Sequence, residues 1–522
     1  MAQGDPQLFV PPKGHFVLAG RVFPRVKWWK SSTMRWLYFY IFALICTNTA
    51  NGYDNSMMNG LQSLPIWQDY FHHPRGSILG LFNCVMSAGA LAGLLFIPYM
   101  LDGIGRRTTL TIGASIMLVG VALQTAAQSF GMFVGARFIL GFGDIIVNCA
   151  APLLIAEIAP AQDRALLVTI QAANYQSGAF IAAWVTYGTL KIKSNWAWRA
   201  PSLIQGVFTV WMLAVVWFMP ESPRYYINKD KSEKAMQVLA KYHADGNEHD
   251  EVVQIEYTEI ATALALEKQQ KKSSSFLDFF KTKGNRQRFI ILVSVGLFSQ
   301  WSGNGLISYY LNLILDNIGI TDPNQQLLIN GGITTFSLVT NVGFSFFVDK
   351  WGRRPIYLIS TVGSLLSWVI WTILAERYTA TKVLAYGKGN LAFIFIYTLF
   401  YNFKSGLIAS YTTEILPYNL RAKGFTIMEY ALYGALFFNQ YVNPIALNAI
   451  EWKYYIVYCV FLAFEVVVIY WFYPETKYLP LEEITKIFDG EDVVAKTNEN
   501  LAGEKVVDTS VHVEEISAAS KA

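Results

Sequence analysis

The chain has 522 residues, 53% of them hydrophobic and only 15% charged, with a mean hydropathy of +0.31 and a net charge of +4. Soluble domains carry about 25% charged residues, so this composition excludes an ordinary soluble enzyme, and so small a net charge carries no nucleic-acid signature. The deficit fits a polytopic membrane protein, because a helix crossing hydrocarbon must present about 20 mostly apolar residues and each ionised side chain there is costly.

The segment 1–34 carries Lys13, Arg21, Arg25, Lys27 and Lys30 before any apolar run. It is too long and polar for a cleaved signal peptide. Six apolar runs follow, at roughly 35–57, 77–101, 108–128, 131–153, 165–189 and 199–219, which predict a first six-helix bundle over 35–219. Residues 220–288 read as a polar linker with short amphipathic helices. Six further runs, at roughly 289–314, 327–348, 355–375, 390–416, 424–447 and 453–473, predict a second bundle over 289–473. The tail 474–522 is polar and is expected to be largely disordered.

Twelve crossings put both termini on one side. Arg106, Arg107, Arg164, the basic stretch 224–288, Arg353, Arg354 and Arg421 fall in one set of loops, which the positive-inside rule makes cytoplasmic, with both termini. Cys46, Cys84, Cys149 and Cys459 all lie in apolar runs, so neither a disulfide framework nor a metal site is expected. No phosphate-binding Gly-x-x-x-x-Gly-Lys-Ser/Thr loop occurs, and no cofactor is expected.

Three signatures occur twice. Asp102-Gly-Ile-Gly-Arg-Arg107 is echoed by Asp349-Lys-Trp-Gly-Arg-Arg354, Glu157-Ile-Ala-Pro with Arg164 by Glu414-Ile-Leu-Pro with Arg421, and Pro220-Glu-Ser-Pro-Arg224 by Pro474-Glu-Thr-Lys477. The same order at similar offsets means a duplicated six-helix unit, and parallel repeats of this kind hold their substrate between the halves, near the bilayer midplane.

With these motifs, and with Trp198-Arg199-Ala-Pro201 and Gln205, the chain resembles the sugar porters of the major facilitator superfamily over about 35–480. The run Asn439 to Leu447, followed by Trp452-Lys-Tyr-Tyr455, resembles the fungal lactose-permease-like branch. The resemblance implies an all-α fold of two pseudo-symmetric six-helix bundles. It implies a monomeric plasma-membrane transporter of a mono- or disaccharide, working by alternating access with proton symport. A sugar sensor, a carrier of a polyol or organic acid, and a passive uniporter are the alternatives.

The duplicated charges form a candidate cytoplasmic gate. Asp102 and Asp349 are placed to cap helix N-termini, and Arg106, Arg107, Arg353 and Arg354 to bridge Glu157, Glu221, Glu414 and Glu475, with Arg164, Arg224 and Arg421 nearby. Such pairs bias a two-state machine when they form in only one state, and the resemblance implies a latch holding the cytoplasmic side shut.

Asp54 lies inside the first apolar run and Arg137 inside the fourth. A carboxylate in the bilayer is driven neutral by desolvation, and a nearby arginine restores its charge. The resemblance carries proton coupling onto this pair.

A sugar site needs amides for its hydroxyls and aromatic faces for its C–H surfaces. The resemblance maps a binding glutamine onto Gln300. Asn304, one turn on, and Gln171 match the family's positions only to within one residue. Tyr175, Tyr309, Asn341 and Asn439 complete the candidates, with Asn174 beside them. Lys404 is a departure from the family pattern: it sits near mid-membrane where the family carries a tryptophan. It is open to three readings: a countercharge for an acidic substrate, a partner for Glu429, or an unpaired neutral lysine. Glu465 is a further intramembrane acid without an assigned role.

Overall fold

The computed structural model describes residues 12, 14–271, 275–345, 351–417, 420–477, 479 and 481–489. The expected disorder of the tail beyond about 490 concerns residues outside this set.

The chain opens on a β-hairpin, β1 (His15–Leu18) and β2 (Arg21–Pro24), with His15 opposite Pro24. Ala19 and Gly20 both take positive φ, which turns the strands with the hand that their twist requires. Only a polar segment was expected here. The segment after β2 is anchored by reciprocal bonds, Val26 N to Gln162 Oε1 at 3.0 Å and Gln162 Nε2 to the Val26 carbonyl at 2.8 Å.

Within the described residues, all twelve apolar runs fall on helices. In the first half these are α1 (Ser32–Gln62), then the short α2 (Pro65–Tyr70), α3 (Gly76–Leu94), α4 (Ile97–Ile104), α5 (Arg106–Thr125), α6 (Phe130–Ile158), α7 (Arg164–Ala173), α8 (Tyr175–Thr189), α9 (Trp196–Ile204) and α10 (Gly206–Val216). The linker supplies α11 (Pro223–Asn228), α12 (Ser232–His243), α13 (Glu251–Lys271) and α14 (Asp278–Lys281). The second half comprises α15 (Lys283–Trp301), α16 (Asn304–Asn317), α17 (Pro323–Ser345), α18 (Arg353–Thr381), α19 (Leu384–Ser405), α20 (Leu407–Glu414), α21 (Arg421–Ile450) and α22 (Tyr454–Phe472), with α23 (Leu481–Asp489) after it.

Nine stretches among the described residues are long and apolar enough to cross a membrane, one of them running through both α21 and α22. Two expected spans fall outside that set for physical reasons. Asn48, Asn51, Asp54, Asn55, Asn59 and Gln62 lower the hydropathy of α1. The fifth run breaks at Asn174 into α7 and α8.

The core divides by height. At the end away from the duplicated motifs, one apolar cluster runs through both halves, joining Tyr53, Trp67, Phe82 and Trp198 to Ile307, Trp368, Trp371 and Tyr458. At the motif end each half packs its own buried cluster, around Leu110 and Ile155 in the first and around Tyr357 and Tyr411 in the second. The halves therefore share one cluster at the far end, while at the motif end Tyr430 and Tyr433 of α21 pack on the first-half cluster.

Candidate functional site

The duplicated motifs build the same device twice. Arg106 N donates to Glu221 Oε1 at 3.1 Å and Arg107 N to Glu221 Oε2 at 3.1 Å. In the second half Arg353 N and Arg354 N donate to the Glu475 oxygens at 2.9 and 3.1 Å. The first amides of a helix lack intrahelical acceptors and carry the positive end of its dipole, so a carboxylate is the natural cap. The residue before each helix is a glycine with positive φ, Gly105 at 94° and Gly352 at 87°. A Cβ would stand 2.5 Å from Glu221 at the first and 2.8 Å from Glu475 at the second. Asp102 lies exposed in the last turn of α4, and the first two amides of α5 are taken by Glu221. Asp349 lies outside the described residues.

The arginine side chains then reach across. Arg106 pairs with Glu157 at 2.9 Å, and Arg353 grips both oxygens of Glu414, at 2.9 to 3.2 Å. Arg107 donates to the carbonyls of Met219 and Trp217, and Arg354 to that of Tyr470. All these contacts stay within one half. Arg164 pairs with Glu256 of α13 at 3.6 Å, tying the linker to the first half. His243, at the end of α12, joins that cluster: one ring nitrogen meets Glu256 and the other the Ile158 carbonyl, at 3.1 Å. Burial opposes charge on His243, but the Glu256 carboxylate and these hydrogen bonds outweigh it and hold its pKa above the ordinary value. Burial likewise raises Glu256, yet His243 and Arg164 bring it below the usual carboxylate value. Arg224 stands in α11, and Arg421 opens α21.

The bonds that cross between the halves lie toward the opposite end. Asn59 of α1 donates to the Ile307 carbonyl at 3.2 Å and to Asn330 at 3.0 Å, and accepts from Leu311 N at 3.1 Å. Gln62 donates to the Tyr309 carbonyl at 3.0 Å. Asn83 meets the Tyr310 hydroxyl at 3.1 Å, and Ser87 donates to Gln440 at 2.6 Å. Tyr310 has non-helical φ and ψ, which frees this stretch of α16 backbone for side chains of α1. Neither Asn59 nor Gln62 was singled out in the sequence. The signal was present in the spacing: residues 48, 51, 55, 59 and 62 form a stripe of amides along one face of a helix.

Between the two ends lie buried polar side chains from both halves. Asp54 is 1% exposed, and neither of its oxygens has a hydrogen-bond partner among the described residues. Arg137 is 2% exposed, and one terminal nitrogen rests 3.5 Å from the Met86 sulfur. The two charges act on each other without an ion pair at contact distance. The structure adds Asp144, two turns beyond Arg137 on α6, held on one oxygen by Asn148 at 3.1 Å. It had not been identified in the sequence, although an acid inside a predicted span is by itself a signal of function.

Gln300 stands in the last turn of α15, just before the break at Gly303. Its carbonyl accepts from Asn439 at 2.9 Å, Asn439 accepts from the Tyr458 hydroxyl at 3.1 Å, and the Tyr401 hydroxyl donates to the Ser299 carbonyl at 2.6 Å. Asn304 opens α16 and accepts from Ser308. Gln171, Asn174 and Tyr175 stand at the break between α7 and α8. Asn48 donates to the Gln171 carbonyl at 2.7 Å, and Asn174 bonds the Ile45 carbonyl. Tyr175 lies within electrostatic reach of Tyr309 and Tyr401 of the other half. Asn341 donates at 3.0 Å to Ser405, which lines a small cavity with Ser299, Tyr401 and Lys404.

Lys404 is 3% exposed and paired with Glu465, at 3.4 Å, rather than with Glu429. Ser302 bridges them, 2.8 Å from the ammonium and 2.9 and 3.0 Å from the two carboxylate oxygens. This node joins the break of α15 and α16 to the end of α19 and the middle of α22.

Residues 39–488 match the family described as "Sugar (and other) transporter". Among curated proteins, the chain is 27% identical over 90% of its length, and 84% of the other's, to "Sugar transporter STL1" of Saccharomyces cerevisiae. It is 26% identical, over 87% and 85%, to "High-affinity glucose transporter" of Kluyveromyces lactis. Among solved structures, the inward-open conformation of the xylose transporter XylE from E. coli superposes with a TM-score of 0.70 at 21% identity, covering 87% of this chain and 100% of that one. XylE bound to 6-bromo-6-deoxy-D-glucose superposes with a TM-score of 0.69 at 22% identity, over 87% and 99%. These structures share the fold of two helical halves.

Proposed function

The chain belongs to the Sugar (and other) transporter family of the major facilitator superfamily, whose members are membrane transporters and not enzymes, and from that membership and the buried polar side chains of its two halves we propose that it carries a mono- or disaccharide by alternating access, in symport with a proton. The single observation behind symport is Asp54, buried without a hydrogen-bond donor yet within electrostatic reach of Arg137. When Asp54 is ionised it holds the arginine; when protonated it releases it, and α1 and α6 are free to shift. Names among the relatives point the same way: one is called a glucose transporter and a structural neighbour a proton:xylose symporter.

Gln300, Asn304, Asn439, Gln171, Tyr175 and Tyr309 are the proposed sugar contacts. Their amides and hydroxyls both donate and accept, as sugar hydroxyls do. The pairing of Lys404 with Glu465 argues for a neutral sugar over an organic acid, because the lysine already has its counterion. In this reading the duplicated motifs face the cytoplasm, the amide seal of Asn59 and Gln62 closes the outer side, and the membrane is the plasma membrane. The test is uptake in transport-null cells of a panel of hexoses, pentoses, disaccharides, polyols and organic acids, with and without a protonophore. Concentrative uptake of a neutral sugar that the protonophore abolishes is expected, as is its loss in Asp54→Asn with exchange retained. Unchanged accumulation in Asp54→Asn overturns the coupling role.

A further inference from the structure

We propose that Asp144 and Glu429 form a proton relay that connects Asp54 with the motif end of the protein, an inference that rests on the symport reading above. Three carboxylates lie inside the membrane-spanning helices: Asp54 on α1, Asp144 on α6 and Glu429 on α21. Asp144 shares the α6 face of Arg137, Gly141 and Asn148. It lines a small cavity of about 10 Å³ with Asn55, Ser87, Tyr433 and Leu436. The cavity therefore touches both halves.

One oxygen of Asp144 accepts from Asn148; the other is buried with no partner. Asp54 feels the charge of Asp144, and Cys149 and Tyr433 each feel both Asp144 and Glu429. Tyr433 is one turn from Glu429 on α21 and lines the cavity with Asp144. Arg137 is the cation of the first site, and no ion pair is formed by Asp144 or Glu429 with any described residue. A carboxylic acid held in apolar surroundings with a single neutral donor is a proton carrier and not a fixed charge.

The chemistry balances without any other reactant. The O–H bond of protonated Asp54 breaks as an O–H bond forms on Asp144, through water in the cavity. Asp144 passes the proton to Glu429 in the same way, and Glu429 releases it to the solvent. One proton leaves: Asp144 and Glu429 return to their starting forms, and Asp54 is left ionised until it takes up the next proton from the opposite side.

The test uses the full chain in lipid nanodiscs, without sugar. Infrared difference spectra are recorded on stepping from alkaline to acid buffer, where each acid that takes up a proton adds a carboxylic C=O band. Asp144→Asn and Glu429→Gln are each expected to remove one component. In proteoliposomes offered D-glucose and D-xylose, both variants are expected to slow uphill uptake by about a hundredfold. Equilibrium exchange, which needs no net proton movement, stays at the wild-type rate and reports an intact fold, and Asp144→Glu restores uphill uptake. If Asp54→Asn loses uphill uptake while Asp144→Asn matches the wild type in spectrum and uptake, the relay is overturned and symport stands. If wild-type accumulation ignores a protonophore, symport falls and the relay with it.

Discussion

Lys404 illustrates how a departure from a family pattern is absorbed by chemistry. A lysine near mid-membrane is affordable because Glu465 and Ser302 satisfy it within 3.4 Å. Removing one partner of such a pair leaves the other charge buried and uncompensated, at about 3–5 kcal/mol. Lys404→Met is therefore expected to lower thermal stability in detergent markedly, and Lys404→Met with Glu465→Gln to recover most of the loss. A double variant no more stable than the single one contradicts the pairing. At this scale the sequence was legible only in part. Asp54, Arg137 and Lys404 declare themselves as charges inside apolar runs, but which acid meets Lys404 depends on helix rotation that no single sequence carries. The capping role of Glu221 was equally hidden, because the acid lies 115 residues from the amide it caps.

The elements carry the gating. Along α1, a stripe of amides ends in Asn59 and Gln62, whose bonds to the α16 backbone hold the far end closed. Each such bond is worth about 0.5–1.5 kcal/mol. Asn59→Ala and Gln62→Ala are thus expected to raise the labelling rate of a cysteine placed between the halves by an impermeant reagent added outside. Unchanged labelling contradicts the seal. At the other end α12 and α13 dock through His243, Glu256 and Arg164. The His243 contribution is complete below its ordinary value of 6.5 and is lost as pH rises through its raised value. The Glu256 contribution is complete above 4.5 and is lost as pH falls through its lowered value. Protection against hydrogen exchange over residues 232–260, taken relative to the unfolded chain at the same pH, should therefore be greatest in mildly acid buffer and fall toward alkaline pH. His243→Gln should remove that alkaline step, and a step unchanged in the variant contradicts it. The helices themselves were legible from their apolar runs. The β-hairpin was not, because its strands are only four residues each and lie in a segment whose charges mask any alternation.

Over the whole molecule, the duplicated motifs foretold two equivalent halves because each copy caps and clamps its own bundle. They did not foretell which end is closed, since closure depends on neutral amides and aromatics that no motif marks. The apolar cluster shared by both halves lies at the far end, where the amide bonds of Asn59 and Gln62 also cross between them. The central claim is that movement of sugar between the halves is tied to movement of a proton. The direct measurement is the external pH of lightly buffered, de-energised cells or proteoliposomes when a transported sugar is added. Immediate alkalinisation is predicted for the wild type and none for Asp54→Asn. Sugar entry by the wild type with no change in external pH would contradict the account.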